Sequence, residues 1–502
     1  MPGPVSIDML LLLGSAVLLV AVLAARLGAR AGLPSLLIFL AVGMSLELVG
    51  IRLNDANLAH ELGFAALVFI LGEGGFTTRW SEVKTALGPA SLLATVGVAV
   101  SVAAVAAFCH VVFAVPLPIA ILLGAVTAPT DAAAVFSVLR AVPLPSRIRA
   151  SLEGESGLND APIVLLVAAA TEWSLGVQPE GGPVMIGVLI VAEFIGGLAV
   201  GAAAGWLGQK LLRGVALPAS GLYPLGAMGV VVLAYGLGDF VHVSGFAAVY
   251  VCAMILGNSD LPHRAATRSF AEGVGWTCQI GLFVMLGMLA TPQRLTIPEA
   301  SIALVLGAFV TFVARPLSVL ASTVWFRFGF REQLFLSWAG LRGAVPIIMA
   351  TVPLAASAPR ANEIFDVVLI YVIVFTLLQA PTLPLVAKLL GISGNEAIDI
   401  EVEVAPLDKI QADFMQVGVP EDSHLNGVTI QELRLPRLTV VAAIVREGAA
   451  IPAEGGTRIR GGDELLIVVP SRHRQRVEDR FARVSRYGRL ASWLDDSDAP
   501  AT

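Results

Sequence analysis

The chain has 502 residues, of which 56% are hydrophobic and 14% are charged, and its mean hydropathy is +0.82. Soluble domains carry about 25% charged residues, so this composition excludes an ordinary globular protein and predicts many membrane spans. The net charge of −6 says little more, because the placement of the charges matters more than their sum.

The first 391 residues predict thirteen membrane spans, since a helix needs about 20 apolar residues to cross a bilayer. No Lys or Arg precedes the first apolar run, so we expect an uncleaved span there and not a signal peptide. The fold class predicted for this part is an all-α polytopic membrane protein. The spans lie at about residues 8–25, 33–50, 61–76, 86–112, 117–140, 150–172, 184–209, 221–237, 241–258, 271–291, 298–326, 332–357 and 365–390.

The basic residues between these spans predict the orientation of the chain. With the N terminus outside the cell, only Arg52, Arg294 and Arg360 lie in outer loops. All other loop cations fall on the cytoplasmic side, as the positive-inside rule requires. An odd number of spans then places the C terminus in the cytosol. The cytoplasmic residues are Arg26, Arg30, Arg79, Lys84, Arg140, Arg147, Arg149, Lys210, Arg213, Arg264, Arg268, Arg327 and Arg331.

Two spans carry helix-breaking residues near their midpoints. The fifth has Pro129 before Thr130 and Asp131, and the twelfth has two glycines and Pro346 around Arg342. Proline removes a backbone donor and frees the carbonyl four residues before it. Broken helices at matching places in two halves are typical of transporters built from inverted repeats. Spans 1–6 and 8–13 are therefore predicted to be the repeats.

The sixth span begins with an unusual cluster of polar residues, within SLEGESGLNDAPIVLLVA. Positions four apart share a helix face, so Glu155 stacks with Asn159 and Ser156 with Asp160. Ionisable residues inside a membrane are costly, and each is a functional candidate by default. The cluster supplies the oxygen ligands that hard monovalent cations prefer.

The broken fifth span would add Thr130 and Asp131 if the two helices cross. We expect K+ or Na+ to bind at Asp160, Ser156, Asp131 and Thr130. Burial favours the protonated form of a carboxylate, so one site could hold a proton or a cation in turn. Asn159 replaces a second acid and leaves one titrating centre, which predicts electroneutral, one-for-one exchange.

Further charges inside predicted spans include Glu73, Arg315 and Arg342. A buried arginine needs a carboxylate partner. Arg342 or Arg315 is therefore expected to pair with Glu73 or Glu155, and all three are predicted to support the site.

The composition changes after residue 391 and predicts a small cytosolic α+β domain. A polar linker at 392–404 leads into the domain at 405–487, and an acidic tail follows at 488–502. Apolar runs predict strands, and two segments predict short helices. The strands are Asp413–Val419, Thr439–Val445 and Glu464–Val469, and the helices are Val428–Leu433 and Ser471–Ala482.

Other function classes find little support in the sequence. The GLGD at 236–239 resembles part of an intramembrane aspartyl protease, but no Tyr-Asp pair accompanies it. No phosphate loop, dinucleotide fingerprint or clustered metal ligands occur, so we expect no enzyme activity, no cofactor and no nucleic-acid partner. A ligand-gated cation channel and a membrane sensor stay as alternatives, although no TVGYG-type filter is present.

Three motifs resemble the bacterial sodium/potassium–proton antiporters of the monovalent cation:proton antiporter superfamily: TAPTDAAAV (127–135), EGESGLNDAPIVLLV (153–167) and WAGLRGAVPI (338–347). The Asn-Asp pair resembles the electroneutral branch. The resemblance implies an antiporter fold in the bacterial inner membrane, as a homodimer of thirteen-helix protomers with a moving six-helix core. It implies that Asp160 is the cation/proton carboxylate. The positions that coordinate or support the ion are Thr130, Asp131, Glu155, Ser156 and Asn159.

Residues 405–487 resemble the C-terminal half of the regulator-of-potassium-conductance domain, also known as TrkA-C. Such domains can bind small ligands such as nucleotides, so a nucleotide regulator is a possible ligand. Joined to this membrane part, the domain resembles the potassium–proton antiporters and favours a role in pH and potassium homeostasis. A sodium-selective Na+/H+ antiporter is the alternative.

Overall fold

The structure is a computed structural model of the chain, and it describes residues 7–31, 35–48, 51, 53, 55–131, 144–178, 182–215, 217–392, 402–407 and 412–488. The chain divides into two compact units, Met1–Ser393 and Gly394–Thr502. The division lies two residues beyond the predicted end of the membrane part.

The regular secondary structure in the described part of the first unit is all helical. Each of the thirteen predicted spans overlaps at least one of its helices. The helices are α1 (Ile7–Ala31), α2 (Ser35–Leu48), α3 (Ala56–Thr77), α4 (Trp80–Leu92), α5 (Val98–Val112), α6 (Leu117–Thr127), α7 (Ser146–Ser174), α8 (Gly182–Gly214), α9 (Leu222–Phe240), α10 (Gly245–Gly257), α11 (Arg264–Leu289), α12 (Ile297–Phe309), α13 (Arg315–Thr323), α14 (Phe330–Trp338), α15 (Ala344–Ala355), α16 (Ala361–Gln379) and α17 (Leu383–Leu390).

Seven helical segments in the described part are long and apolar enough to cross a membrane, judged by length and composition alone. Shorter apolar helices include α6, α10 and α15, and two of these belong to the broken spans. The prediction of a polytopic helical membrane domain is confirmed. The seven segments are Ala56–Thr77, Ala86–Val112, Met185–Gly214, Leu222–Phe240, Arg264–Leu289, Ile297–Phe326 and Ala361–Gln379.

Irregular backbone occurs in pairs that lie seven spans apart. The fourth span contains a π-helical turn at Leu93–Gly97, and the eleventh contains one at Val310–Ala314. The fifth span loses its helix after Thr127, and the twelfth has a break between α14 and α15. π-Helical turns often mark functional sites. These matched pairs agree with the predicted inverted repeats.

The helix that carries the polar cluster, α7, is packed tightly against its neighbours. A β carbon on Gly157 would overlap the ring of Tyr250 in α10. Glycine at this position therefore lets α7 and α10 approach closely, as small residues do between membrane helices.

The second unit contains a five-stranded antiparallel sheet in the order β1-β2-β5-β3-β4 and a final helix, α18 (Arg474–Tyr487). Its apolar core includes Val417, Ile444, Ile467 and Phe481. The predicted α+β domain is confirmed. The strands are β1 (Val402–Leu407), β2 (Ala412–Gly418), β3 (Val440–Arg446), β4 (Ala449–Pro452) and β5 (Glu464–Pro470).

Two details of the second unit differ from the sequence prediction, and a third falls largely outside the described residues. Strand β1 begins inside the predicted linker at 392–404, because it pairs with β2 along its full length. The predicted helix Val428–Leu433 is only a 3-10 turn, Gln431–Leu433. Of the predicted acidic tail, residues 489–502 lie outside the described residues.

Candidate cation site

The two broken spans meet at their breaks. The chain leaves α6 at Thr127 and continues without helix as far as Asp131, the last residue described before 144. The backbone N–H of Asp131 donates to the carbonyl of Leu341, between α14 and α15, at 3.0 Å. The crossing that the sequence only suggested is therefore made by main-chain contact.

Arg342 closes the C-terminal end of α6. One of its terminal nitrogens donates to the carbonyls of Ala128 at 2.5 Å and Pro129 at 2.6 Å. The last carbonyls of a helix carry partial negative charge and lack partners in the helix. A buried arginine, 2% exposed, satisfies both needs here.

Asp131 has the opposite role at the start of α15. Its Oδ2 accepts a hydrogen bond from the backbone N–H of Ala344, the first residue of that half-helix, at 2.9 Å. The N-terminal end of a helix is partly positive and favours an anion. The crossing thus places the Arg342 guanidinium at the C-terminal end of α6 and the Asp131 carboxylate at the N-terminal end of α15.

The polar face of α7 lies beside this crossing. Glu155, Ser156, Asn159 and Asp160 are all buried, with at most 3% of each residue exposed. The Ser156 hydroxyl lies 3.1 Å from Oγ1 of Thr130, and Nδ2 of Asn159 donates to the same oxygen at 3.0 Å. The structure therefore joins the fifth and sixth spans, as predicted.

Two acceptor oxygens in this cluster lack a donor. Oδ1 of Asp160 and Oδ1 of Asn159 are buried and have no hydrogen-bond partner within the described ranges. Leaving a buried polar atom unpaired costs free energy, so each such atom needs an explanation. Carboxylate and amide oxygens are suitable ligands for a monovalent cation.

Glu155 is held by a buried arginine. Both of its oxygens pair with Arg315, which lies in α13, and the Nη2–Oε2 distance is 2.8 Å. The prediction that a buried arginine pairs with Glu155 is confirmed for Arg315. Arg315 also donates to the carbonyl of Leu336 at 3.3 Å. Glu155 is thus placed in the support of the site, next to Asn159.

Glu73 lies in α3 and packs against Gly275 of α11, where a β carbon would meet its Cγ at 2.9 Å. Among the described residues, the hydrogen bonds of Arg315 and Arg342 go to groups other than Glu73. Its predicted supporting role stays a prediction.

Sequence reasoning missed two residues of α16. Nε of Arg342 donates to the Tyr371 hydroxyl at 3.0 Å, and the Thr376 hydroxyl donates to the Arg342 carbonyl at 2.7 Å. That carbonyl is the one that Pro346 frees. Both hydroxyls lie in the apolar run DVVLIYVIVFTLL. Their polarity inside a predicted membrane span was a signal that could have identified them.

The sequence matches two protein families. Residues 15–389 match the transmembrane sodium/hydrogen exchanger family, and residues 414–482 match the TrkA-C domain. The first match covers more than half of the chain and contains every residue of the crossing.

Similar proteins agree with these matches. The K(+)/H(+) antiporter NhaP2 of Shewanella oneidensis is 32% identical over 500 residues, covering 98% of this chain and 86% of that protein. The K(+)/H(+) antiporter NhaP of Alkalimonas amylolytica is 33% identical, covering 92% of this chain and 81% of that protein. The solved structure of the sodium proton antiporter MjNhaP1 from Methanocaldococcus jannaschii has a TM-score of 0.66 at 22% identity. It covers 76% of this chain and 99% of its own, and so supports the fold.

Proposed function

The chain belongs to the sodium/hydrogen exchanger family, and from that premise we propose that it is a secondary antiporter that exchanges K+ for H+. It is a membrane protein with several spans and carries a TrkA-C domain at its C-terminal end. The observation that supports the transport site best is the pair of unpartnered oxygens on Asn159 and Asp160, buried beside two crossed, broken helices.

The proposed mechanism is competition for one carboxylate. When Asp160 holds a proton, its charge is neutral and its oxygens attract a cation weakly. When the proton leaves, the carboxylate and the amide oxygen of Asn159 face a cation together. A buried charge is costly in a membrane, so the protein reorients only when a proton or a cation neutralises Asp160. Each reorientation then carries either a proton or a cation, and the protein does not reorient with Asp160 charged and empty.

The neighbouring groups have distinct tasks in this proposal. Thr130 and Ser156 supply hydroxyl oxygens, and the amide of Asn159 fixes the Thr130 hydroxyl through its hydrogen bond. Asp131 holds the start of α15 and adds negative potential nearby. Asn159 carries no charge, which supports exchange of one cation for one proton.

Potassium is the proposed cation because two relatives that match over 92% or more of this chain are named K(+)/H(+) antiporters. Sodium is the alternative, since the Na(+)/H(+) antiporter ApNhaP of Aphanothece halophytica is 29% identical over 385 residues. That match covers 73% of this chain, less than either of the two K(+)/H(+) antiporters covers.

We also propose the cellular setting. The basic loop residues support an N terminus outside the cell and a C terminus in the cytosol of a bacterium. A homodimer surrounded by lipid, without enzymatic activity and without nucleic-acid partners, fits the family resemblance. The TrkA-C domain is proposed to regulate transport, with a small nucleotide as a candidate ligand.

A cation series in proteoliposomes tests the proposal. An imposed pH gradient is followed with a dye while K+, Na+ or Li+ is added to the full chain. We expect K+ to dissipate the gradient at the lowest concentration, with Na+ weaker. Dissipation by Na+ alone would favour the alternative cation. Cation currents without proton movement would indicate a channel, and no response to any cation would indicate a sensor.

A further inference from the structure

The break in the twelfth span is held by α16 through two buried hydroxyls. Oη of Tyr371 accepts from Nε of Arg342 at 3.0 Å, and Oγ1 of Thr376 donates to the Arg342 carbonyl at 2.7 Å. Tyr371 is 1% exposed and Thr376 is 2% exposed. One helix therefore fixes both the side chain and the main chain of a single residue.

Arg342 passes this restraint on to the cation ligands. Its terminal nitrogen binds the carbonyls of Ala128 and Pro129, the two residues directly before Thr130. Thr130 in turn accepts the amide hydrogen bond of Asn159. A continuous chain of hydrogen bonds and one short backbone segment thus runs from Tyr371 to the proposed ligands.

Packing fixes the Tyr371 hydroxyl in place. Its ring lies against Phe375, with ring centroids 5.6 Å apart. A β carbon on Gly307 of α12 would overlap Phe375 and approach Tyr371 at 2.7 Å. A side chain packed this closely has one rotamer available. The hydroxyl is thus a fixed point from which Arg342 is oriented.

We propose that Tyr371 and Thr376 are positioning residues that set the affinity of the site for its cation. They hold Arg342, and Arg342 holds the backbone that presents Thr130. The inference rests on the proposed function, because it assumes that Thr130 and Asp160 bind the transported cation. A proton at Asp160 needs no such geometry, so these hydroxyls favour the cation in its competition with the proton.

The test compares Tyr371→Phe and Thr376→Val with the wild type in proteoliposomes. We expect the KM for K+ to rise about fivefold in each variant, as for the loss of one hydrogen bond to a buried group. The maximal rate should change by less than about twofold, because the substitutions weaken cation binding and leave the reorientation step unchanged. Thr376→Ser keeps the donor hydroxyl and should behave as the wild type.

The pH profile gives a second readout. When the pH is lowered at limiting K+, Tyr371→Phe should lose activity at a higher pH than the wild type does. The variant binds K+ more weakly, so the proton displaces K+ from Asp160 more easily. Saturating K+ should restore the wild-type profile. Tyr235→Phe is the matched control, since Tyr235 lies in α9 and packs against Phe246. It should leave both KM and profile unchanged.

The outcomes separate the two proposals. A wild-type KM in both variants would overturn the inference. A lower maximal rate at unchanged KM would also overturn it. So would a lower yield of folded protein by gel filtration if the folded fraction shows wild-type kinetics. Each of these two results would indicate a purely structural role. An inactive wild type would count against the proposed function instead.

Discussion

Gly343 and Asp131 are in such close contact that a β carbon on Gly343 would overlap Oδ2 of the aspartate. The same oxygen accepts the backbone N–H of Ala344. The carboxylate therefore lies against bare backbone at the start of α15, and only glycine leaves room for it. This contact joins the two broken spans at the point where the fifth span presents Thr130.

Gly343→Ala should displace Asp131 and weaken the crossing. We expect a loss of about 1–3 kcal/mol in unfolding free energy, as for other overpacked sites, together with impaired exchange. Thermal unfolding in detergent and dye-based transport measure the two effects. Gly236→Ala is the matched control, because no atom lies within 4 Å of a β carbon there. Equal behaviour of the two variants would contradict the tight contact.

Glu155→Gln should be strongly destabilising, since it leaves Arg315 buried without its carboxylate. Removing one partner of a buried ion pair costs about 3–5 kcal/mol. Glu363→Gln is the control, because Glu363 pairs with Arg360 at 3.7 Å on the exposed surface and such pairs contribute about 0–1 kcal/mol. Thermal unfolding compares the two variants.

The double variant Glu155→Gln with Arg315→Gln completes this test. It should be more stable than either single variant, since no unpaired charge then stays buried. If Glu155→Gln lowers the unfolding free energy no more than Glu363→Gln does, the Glu155–Arg315 pair contributes nothing to the stability of the membrane unit.

Much of the architecture was predictable because hydrophobic length and helix breakers act locally. Pro129 and Pro346 marked the two breaks, and the sequence required a carboxylate for a buried arginine. It did not decide between Arg315 and Arg342, because the partner depends on which distant helices touch. Arg342 turned out to bind helix carbonyls. Spacing along the chain does not encode that choice.

The hydroxyls of Tyr371 and Thr376 were missed for a related reason. Each carries no charge and occurs in an apolar helix, so its importance depends on what lies opposite. The π-helical turns at Leu93–Gly97 and Val310–Ala314 were also not predicted, since no proline or glycine pattern marks a single extra residue in a turn.

The pair Asp463–Arg446 should make the stability of the C-terminal domain depend on pH. Burial alone would raise the pKa of Asp463, but hydrogen bonds from Arg446 and from the backbone N–H of Arg460 outweigh it, and the pKa is lowered. Because the pKa of Asp463 is lower in the folded state, its ionised form stabilises the domain. This stabilisation is fully present when the pH is above the unfolded pKa of about 3.9. This stability is lost as the pH falls through the lower, folded value.

Hydrogen exchange of β3 and β5 in the full chain measures this contribution. Asp463→Asn should speed exchange at neutral pH, and the difference from wild type should shrink as the pH falls below the unfolded pKa of about 3.9 and Asp463 of the folded protein takes up its proton. Asp479→Asn, at an exposed position of α18, should exchange as the wild type does at every pH. A difference that persists undiminished in acid would show that the ion pair is not its source.

Exchange should move no net charge, because Asp160 is the one carboxylate proposed to trade a proton for the cation, while Asp131 is bonded to the start of α15. A K+ jump on a solid-supported membrane should therefore give no sustained current, while a pH dye reports exchange in the same liposomes. Asp160→Asn liposomes give the background signal. A sustained current that requires Asp160 would contradict one-for-one exchange.

Competition at Asp160 is tested most directly by the KM for K+ as a function of pH in proteoliposomes. The wild-type KM should rise as the pH falls, by up to about tenfold per pH unit once the proton dominates, and saturating K+ should restore the maximal rate. Asp160→Asn should fold, as judged by gel filtration and thermal unfolding, and should show no exchange at any K+ concentration. A KM independent of pH, or exchange that survives in Asp160→Asn, would contradict the account.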